Sequence, residues 1–279
     1  MEIEGESLDD VLMSLYQALP STATRNMCSR GETYEMLAVV LRIQNPRARL
    51  SRSENRGKPF SALGELLWYL SKKNDVEFIE EYIRAYAKEA DEDGTIHGGY
   101  GPRLFAMRGS IDQISSVCEL LRQKPSSRRA VIQLFNAEDI ASEHKEVPCT
   151  TTMQFFRREG KMHMATTLRS NDAYKGLPHD VFCFTMLQEM VARRLGVELG
   201  EYYQFVGSMH VYARDLKKLS EYTQEGYHRL ADMPSMPQGD PFKQIPALLA
   251  CERRMRDGEY FDASLVFSDP YWADLTRLL

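Results

Sequence analysis

The sequence predicts an α+β fold, because helical and strand-like patterns are mixed along the chain without a regular βαβ alternation. Apolar residues at helical spacing alternate with short β-branched runs through all 279 residues. Neither an internal repeat nor a low-complexity linker separates them. We therefore expect one domain over residues 1–279, in which a mixed β-sheet packs against helices.

The first part of the chain is predicted to begin with a helix that Ser7 caps. A short, apolar, branched segment then predicts a strand, EMLAVVLRI, which ends at the turn QNP. Two more helices are predicted, and the segments are FSALGELLWYL and DVEFIEEYIRAYAKEA. The Gly-rich stretch DEDGTIHGGYGPR that follows is expected to be a loop.

The second part is predicted to contain most of the sheet. A helix (DQISSVCELLRQK) and a strand (RRAVIQLF) precede two β-rich runs around Arg-Glu-Gly-Lys, which is a hairpin signal. An amphipathic helix is expected from Val181 to Leu195, followed by the strand YYQFVGSMHVY and a helix that begins near Asp215.

Composition limits the classes of function. The net charge is −5 and the basic residues are scattered, so we expect no nucleic-acid partner. No apolar run approaches the roughly 20 residues that span a bilayer, and the acidic N-terminal segment is unlike a signal peptide. The five cysteines lack zinc-type spacing. We expect a cytoplasmic protein with reduced thiols, no membrane partner and no metal.

Three kinds of residue are candidates for chemistry. Cys149 follows a proline at a strand edge, where a thiol can be presented as a nucleophile or buried as a structural residue. A Cys/His hydrolase with His210 as base lacks a supporting local signature. Glu65 lies on an apolar helix and must be paired, protonated or functional, with a helix-end salt bridge as the alternative.

Four arginines are candidates for binding a phosphate, since guanidinium groups bind phosphate oxygens bidentately. Arg128 and Arg129 precede a strand, Arg169 ends one beside Ser170, and Arg30 lies in a Gly-containing loop. Their spacing alone is equally compatible with unrelated surface charges.

These residues lie in segments that together resemble the thymidylate synthase superfamily in order and spacing. The segments are GELLWYL, DQI, PSSRR, PCTTTMQFF, LRSNDAYKGLPHD and GSMHVY. The similarity runs from about Arg30 to about Leu219, which is most of the chain. It implies a thymidylate-synthase-like fold whose sheet face lies at a dimer interface.

The resemblance implies a role for each matching residue. Cys149 would add to C6 of a pyrimidine nucleotide, and C5 would then attack the one-carbon unit of 5,10-methylenetetrahydrofolate. The 5′-phosphate would be held by Arg30, Arg169 and Ser170, together with Arg128 and Arg129 donated by the partner subunit of a homodimer. The remaining roles fall to His210 and Tyr212 (sugar), Glu65 (proton transfer), Tyr100 (beside the thiol), and Asp172, Tyr86 and Gly176 (folate).

Asp180 is the most informative departure from the family pattern. Local sequence alone predicts a helix cap, because the residue precedes an apolar helix. In thymidylate synthases this position is normally Asn, which pairs with uracil, whereas deoxycytidylate hydroxymethylases of the superfamily carry Asp. An acid that accepts from N4–H and shares a proton with N3 would favour the cytosine adduct. The functional interpretation outweighs capping, although both can hold together.

A second departure concerns the folate side of the site. Thymidylate synthases usually carry a Trp pair where this chain has Tyr86 and Glu89. A more polar wall favours water over hydride at the C5 substituent, although neutral drift is an alternative. We expect a cytidylate 5-hydroxymethylase acting on CMP or dCMP. The alternatives are a thymidylate synthase that methylates dUMP and a non-catalytic nucleotide- or RNA-binding relative.

Overall fold

A mixed β-sheet carries the candidate site in the computed structural model, which describes residues 1–28, 30–54 and 58–279. The strands run in the order β1-β3-β7-β6-β5-β4, and β2 pairs with β3. Only the β1–β3 and β6–β7 pairs are parallel within these residues. The strands are β1 Glu2–Gly5, β2 Thr24–Cys28, β3 Gly31–Ile43, β4 Val131–Gln133, β5 Thr150–Arg158, β6 Lys161–Asp172 and β7 Glu198–Tyr212.

Helices cover one face of this sheet. Helix α7 lies in the middle of this layer, is buried along nearly its whole length, and packs against α2 and β6. The helices are α1 Leu8–Thr22, α2 Pro59–Leu70, α3 Val76–Glu80, α4 Tyr100–Phe105, α5 Gln113–Gln123, α6 Glu138–Ala141, α7 Gly176–Arg194, α8 Leu216–Gln224, α9 Ile245–Arg256 and α10 Pro270–Arg277. No helix in the described ranges has the length and apolar character needed to cross a membrane.

The α+β prediction is confirmed, as are several local predictions. Ser7 caps α1 in a reciprocal capping box with Asp10. The β5–β6 hairpin turns at Glu159 and Gly160, whose φ angles are 49° and 74°. Positive φ at both central residues is what a tight two-residue hairpin turn requires.

Two helix predictions were wrong. The segment predicted as one helix from Asp75 to Ala90 forms α3 and then a 3₁₀ turn at Arg84–Lys88. This break lets the Tyr82 hydroxyl donate to Glu252 at 2.8 Å and the Tyr86 hydroxyl donate to Glu65 at 3.1 Å. Tertiary contacts therefore override the local helical pattern.

The other error concerns the start of α7, which begins at Gly176 rather than at Val181. Pro178 lies in the first turn, where a missing backbone N–H costs no helical hydrogen bond. Asp180 therefore lies inside the helix rather than before it. The capping interpretation of Asp180 was wrong.

In the part of the chain that the structure describes, the opposite face of the sheet exposes apolar residues from three strands. Leu37 is 70% exposed and Phe205 is 42% exposed, although both lie in central strands of the sheet. Val131 of β4 is exposed as well. An apolar sheet face of this kind is typical of a surface that a partner covers.

The core contains a buried ion pair, and we predict that breaking it will destabilise the fold. Arg49 NH2 lies 2.5 Å from Glu189 Oε2, and the two side chains are 0% and 1% exposed. Arg49→Ala leaves the Glu189 carboxylate buried without its cation, which we expect to cost about 3–5 kcal/mol of unfolding free energy. Urea unfolding followed by circular dichroism measures the loss.

The matched control is Arg253→Ala, which breaks the exposed pair between Arg253 and Asp257 at 3.0 Å. Exposed pairs contribute little, so this variant should keep the wild-type midpoint. Equal midpoints for both variants would contradict a stabilising role of the Arg49–Glu189 pair.

Candidate active site

The register of three strands brings the candidate residues together. In β6, Ser170 lies beside Ser208 of β7 and Asp172 lies beside His210. On the other side of β6, the Arg169 amide donates to the Cys149 carbonyl at 2.8 Å. The thiol and the polar ends of β6 and β7 therefore meet at one end of these neighbouring strands.

Arg169 holds the loop that presents Cys149. Its Nε donates to the Pro148 carbonyl at 2.9 Å and its NH2 donates to the Val147 carbonyl at 3.0 Å. Burial raises the pKa of the Cys149 thiol to about 11, and the Arg169 charge acts in the opposite direction. At neutral pH the thiol therefore keeps its proton, and a base must accept that proton when the sulfur attacks.

Tyr100 fixes the residue next to the thiol. Its hydroxyl donates to Thr150 Oγ1 at 2.9 Å and accepts from the Thr150 amide at 3.0 Å. The Tyr100 ring stands at the start of α4 and packs against Tyr69. Tyr100 is thus beside Cys149, as expected from the sequence.

Arg30 and Ser170, two of the predicted phosphate ligands, each contact a polar side chain. Arg30 NH2 lies 2.7 Å from Glu89 Oε2 at the surface. Ser170 Oγ is 3.3 Å from His210 Nδ1, and the His210 ring meets the Tyr212 ring edge-on at 5.5 Å between centroids. The charge of Arg30 opposes the rise that burial causes in the pKa of Cys149, so the guanidinium lies within electrostatic reach of the thiol.

Arg128 and Arg129 are not part of this group. Both are exposed, on the turn that precedes β4. Within residues 1–28, 30–54 and 58–279, neither guanidinium forms a hydrogen bond or ion pair with the other predicted site residues. The arrangement agrees with arginines that act outside their own chain.

Asp180 ends a buried chain of hydrogen bonds. Asn171 Nδ2 donates to Asp180 Oδ2 at 2.5 Å, and Gln204 Nε2 donates to Asn171 Oδ1 at 3.3 Å. Tyr202 OH in turn donates to Gln204 Oε1 at 2.6 Å. These hydrogen bonds fix the orientation of the Asp180 carboxyl from the core side, because Asn171 is 3% exposed and Gln204 is fully buried.

Asp180 favours its neutral form. Burial raises the pKa of Asp180 well above its usual range, and the nearby Glu65 charge raises it further, while the Asn171 bond lowers it. A Cβ on Gly176 would lie 3.2 Å from Asn171 Nδ2 and 3.5 Å from Asp180 Oδ2. With glycine at position 176, no side chain from this position contacts the Asn171 amide or the Asp180 carboxyl.

Glu65 is satisfied by hydroxyl groups. Its Oε1 accepts from Tyr69 OH at 2.8 Å and from Tyr86 OH at 3.1 Å, and the residue is 5% exposed. Its partners are therefore neutral, unlike those of a helix-end salt bridge. Burial, followed by the Glu65 charge, raises the pKa values of both tyrosines well above the ordinary value.

Asp172 starts the turn between β6 and α7. Its Oδ1 accepts from the amides of Tyr174 and Lys175, each at 2.9 Å. This turn directs the chain from the end of β6 into the helix that carries Asp180. In the described ranges, no group of three or more His, Cys, Asp and Glu side chains is arranged to hold a metal ion.

Sequence reasoning missed two residues of the site. Asn171, the donor to Asp180, lies between two predicted residues, and that position was the signal available in the sequence. Glu146 lies three residues before the thiol, and burial raises its pKa to about 7. No motif marks Glu146, because its surroundings come from segments distant in the sequence.

The high pKa of Cys149 predicts slow, pH-dependent alkylation. The thiolate is the reactive form, so its rate with iodoacetamide should rise about tenfold per pH unit between pH 7 and 9.5 without a plateau. Peptide mapping by mass spectrometry measures the rate, and the exposed Cys28 provides an internal comparison. A plateau below pH 8.5 would contradict the effect of burial on this thiol.

Comparisons with known proteins point to one family. A protein-family model described as thymidylate synthase matches residues 55–240. The chain is 29% identical over 249 residues to a deoxyuridylate hydroxymethyltransferase of Bacillus phage SP01, an alignment covering 83% of this chain and 65% of the relative. It is 36% identical over 166 residues to a thymidylate synthase of Bacillus phage phi3T, with coverages of 57% and 59%.

A thymidylate synthase of Bacillus licheniformis is similar at 35% identity over 167 residues, with coverages of 57% and 60%. The chain therefore spans about three fifths to two thirds of the length of these curated relatives. The family model covers well over half of the chain. The chain belongs to the thymidylate synthase family.

Proposed function

We propose that this chain is a cytidylate 5-hydroxymethylase. It would transfer the one-carbon unit of 5,10-methylenetetrahydrofolate to C5 of CMP or dCMP, with addition of water and through a Cys149–C6 adduct. The observation that carries the proposal is the partly buried acid Asp180, held by Asn171 in the same site as Cys149 and Glu65. Both a nucleophile and an acid suited to a pyrimidine edge are therefore available.

Asp180 suits the edge of cytosine. A neutral carboxyl can donate its proton to N3 and accept a hydrogen bond from the N4 amino group. When Cys149 adds to C6, electron density builds up toward N3, so the shared proton stabilises the adduct more than the free nucleotide. The raised pKa of Asp180 favours the protonated carboxyl before the nucleotide binds.

The other nucleotide contacts follow from the ends of β6 and β7. Arg30, Arg169 and Ser170 would bind the phosphate, and His210 and Tyr212 would bind the sugar hydroxyl. The phosphate competes with Glu89 for Arg30, because these two side chains are paired at 2.7 Å. Since Arg169 also lowers the pKa of Cys149, one guanidinium serves binding and activation of the thiol.

The folate cosubstrate supplies a one-carbon unit at the oxidation level of formaldehyde. The proposal places this molecule beside Gly176, where no side chain blocks the approach to Asn171 and Asp180. Asp172, Tyr86 and Gly176 would hold it. Glu65, which accepts from two tyrosine hydroxyls, would hold the protons that move between base and folate.

A second candidate is hydroxymethylation of deoxyuridylate. It is favoured by the activity named for the phage SP01 relative and by the neutral form of Asp180, which can donate to O4 of uracil and accept from N3–H. Methylation of dUMP is the third, named for the phage phi3T relative. A non-catalytic relative would have no need of an aligned Cys149, Arg169 and Glu65.

Competition between nucleotides tests the proposal. With 5,10-methylenetetrahydrofolate present, CMP, dCMP and dUMP are offered together, and the products are identified by mass spectrometry. We expect a hydroxymethyl group on a cytosine nucleotide and no absorbance increase near 340 nm from dihydrofolate. A hydroxymethyl group on dUMP supports the second candidate, and a methyl group on dUMP overturns the water step.

Asp180→Asn is the matched control. The amide donates and accepts at fixed atoms, so it suits uracil and leaves a mismatched polar pair with cytosine. We expect the ratio of cytosine to uracil turnover to fall by about 100-fold or more. An unchanged ratio would remove Asp180 as the residue that selects the base.

We also propose a homodimer in which the uncovered sheet face is the interface and Arg128 and Arg129 reach the partner's phosphate site. The exposure of Leu37 and Phe205 supports the interface, and the exposure of both arginines supports their action in trans. Isologous pairing of this face would form two equivalent sites.

Mixing two inactive variants tests the shared sites. An Arg128→Ala, Arg129→Ala double variant lacks the donated arginines, and Cys149→Ala lacks the nucleophile. After random reassociation, half of the dimers are mixed and each has one intact site, so about a quarter of wild-type activity should return. Mixed samples that stay inactive while forming mixed dimers would overturn donation across subunits.

A further inference from the structure

Glu146 is a carboxyl group that the proposed roles leave unused. It lies on the loop before Cys149, and the segments on both sides of it are fixed. Lys145 Nζ donates to the Ala90 carbonyl at 2.6 Å, while Arg169 donates to the Val147 carbonyl at 3.0 Å. The backbone at Glu146 is therefore held between the Tyr86–Ala90 segment and the end of β6.

The side chain of Glu146 packs closely against Gly98. A Cβ on Gly98 would lie 1.9 Å from Glu146 Oε2 and 3.0 Å from the Pro148 nitrogen. Only a residue without a side chain leaves room for the carboxylate at this position. The absence of a side chain at position 98 thus lets the carboxyl group pack into the wall beside Cys149.

The charged and titratable neighbours of Glu146 come from several segments. Burial is the largest effect and raises the pKa of Glu146 to about 7. The charges of Arg169, Arg30 and Arg103 act to lower this pKa, and the charge of Glu89 acts to raise it. In turn, Glu146 raises the pKa values of Cys149 and Tyr86. The group therefore lies within electrostatic reach of the thiol and of the tyrosine on the folate side.

We infer that Glu146 is the general base that takes a proton from the water adding to the one-carbon unit on C5, and then gives it to the departing sulfur of Cys149. The inference rests on the proposed hydroxymethylase function. The other carboxyls of the site fit this role less well, since the raised pKa of Asp180 favours its neutral form, Glu65 Oε1 already accepts two hydroxyl bonds, and Asp172 Oδ1 already accepts two backbone amides.

The atoms and electrons of this step balance without a redox partner. Before it, the nucleotide carries a methylene group doubly bonded to C5 and the Cys149 sulfur on C6. Water oxygen bonds to the methylene carbon, its proton moves to Glu146, and the double-bond pair shifts into the ring. That pair re-forms the C5–C6 double bond as the C6–S bond breaks, and the sulfur takes the proton from Glu146.

A trapping experiment tests this role. The wild type, Glu146→Gln and Glu143→Gln are incubated with nucleotide, 5,10-methylenetetrahydrofolate and 2-mercaptoethanol, whose thiolate attacks the same methylene carbon without a base. The readout is the ratio of hydroxymethyl to thioether nucleotide, which does not depend on the amount of folded enzyme. Glu143 is the control, because it is an exposed carboxyl on the same loop.

We expect the ratio to fall by about 100-fold in Glu146→Gln, a typical contribution of a general base, and to stay at the wild-type value in Glu143→Gln. Relative to Glu146→Gln, the wild-type ratio should rise with pH around pH 7, because the base must be ionised. Glu146→Asp should restore part of it.

Two results would count against the role, and they are distinguishable. An unchanged ratio in Glu146→Gln, with a wild type that makes the hydroxymethyl product, overturns the role of Glu146 alone. A wild type that makes only a methyl nucleotide overturns the proposed function and this inference with it.

Discussion

The register of β6 between β5 and β7 is the constraint on which the site depends. The Arg169 amide bonds to the Cys149 carbonyl on one side, and Asp172 lies beside His210 on the other. Because side chains alternate between faces, a slip of one residue would turn Ser170 away from His210. Register irregularities near Thr150 and Met162 adjust the pairing within this sheet. Backbone hydrogen bonds therefore decide which side chains can cooperate.

Burial favours the protonated forms of the acidic groups in the site. It raises the pKa values of Asp180, Glu146 and Cys149, and Arg169 opposes it for both Glu146 and the thiol. The nucleotide of the proposed function would add a phosphate dianion to these surroundings, and Arg30 would have to leave Glu89 to meet it. A carboxyl that is neutral before binding, the form that the raised pKa of Asp180 favours, lessens the repulsion of that dianion. The neutral Asp180 would then be a proton donor during addition of the thiol.

The sequence predicted the residue types of the site better than their connections. The motifs named Arg169, Ser170, Asp172, His210 and Tyr212, and these residues come together because they lie on β6 and β7. The capping interpretation of Asp180 was wrong, since Pro178 is compatible with the first turn of a helix that begins at Gly176. The single helix predicted after Asp75 was wrong because Tyr86 turns inward to Glu65. Glu146 was missed because Gly98, 48 positions earlier, forms the wall that it packs against. Such pairings exist only in the folded chain.

The raised pKa of Glu146 is also an argument about stability. Its folded-state pKa of about 7 lies above the ordinary value of 4.5. At a pH between these two values, the native state therefore binds more protons than the unfolded chain. Stability contributed by this group is present below pH 4.5 and is lost as the pH rises to about 7. A Leu or Gln at the same position would avoid that loss. A carboxyl that weakens the fold at neutral pH, beside a nucleophile and against a glycine that leaves it room, is better explained by proton transfer than by packing.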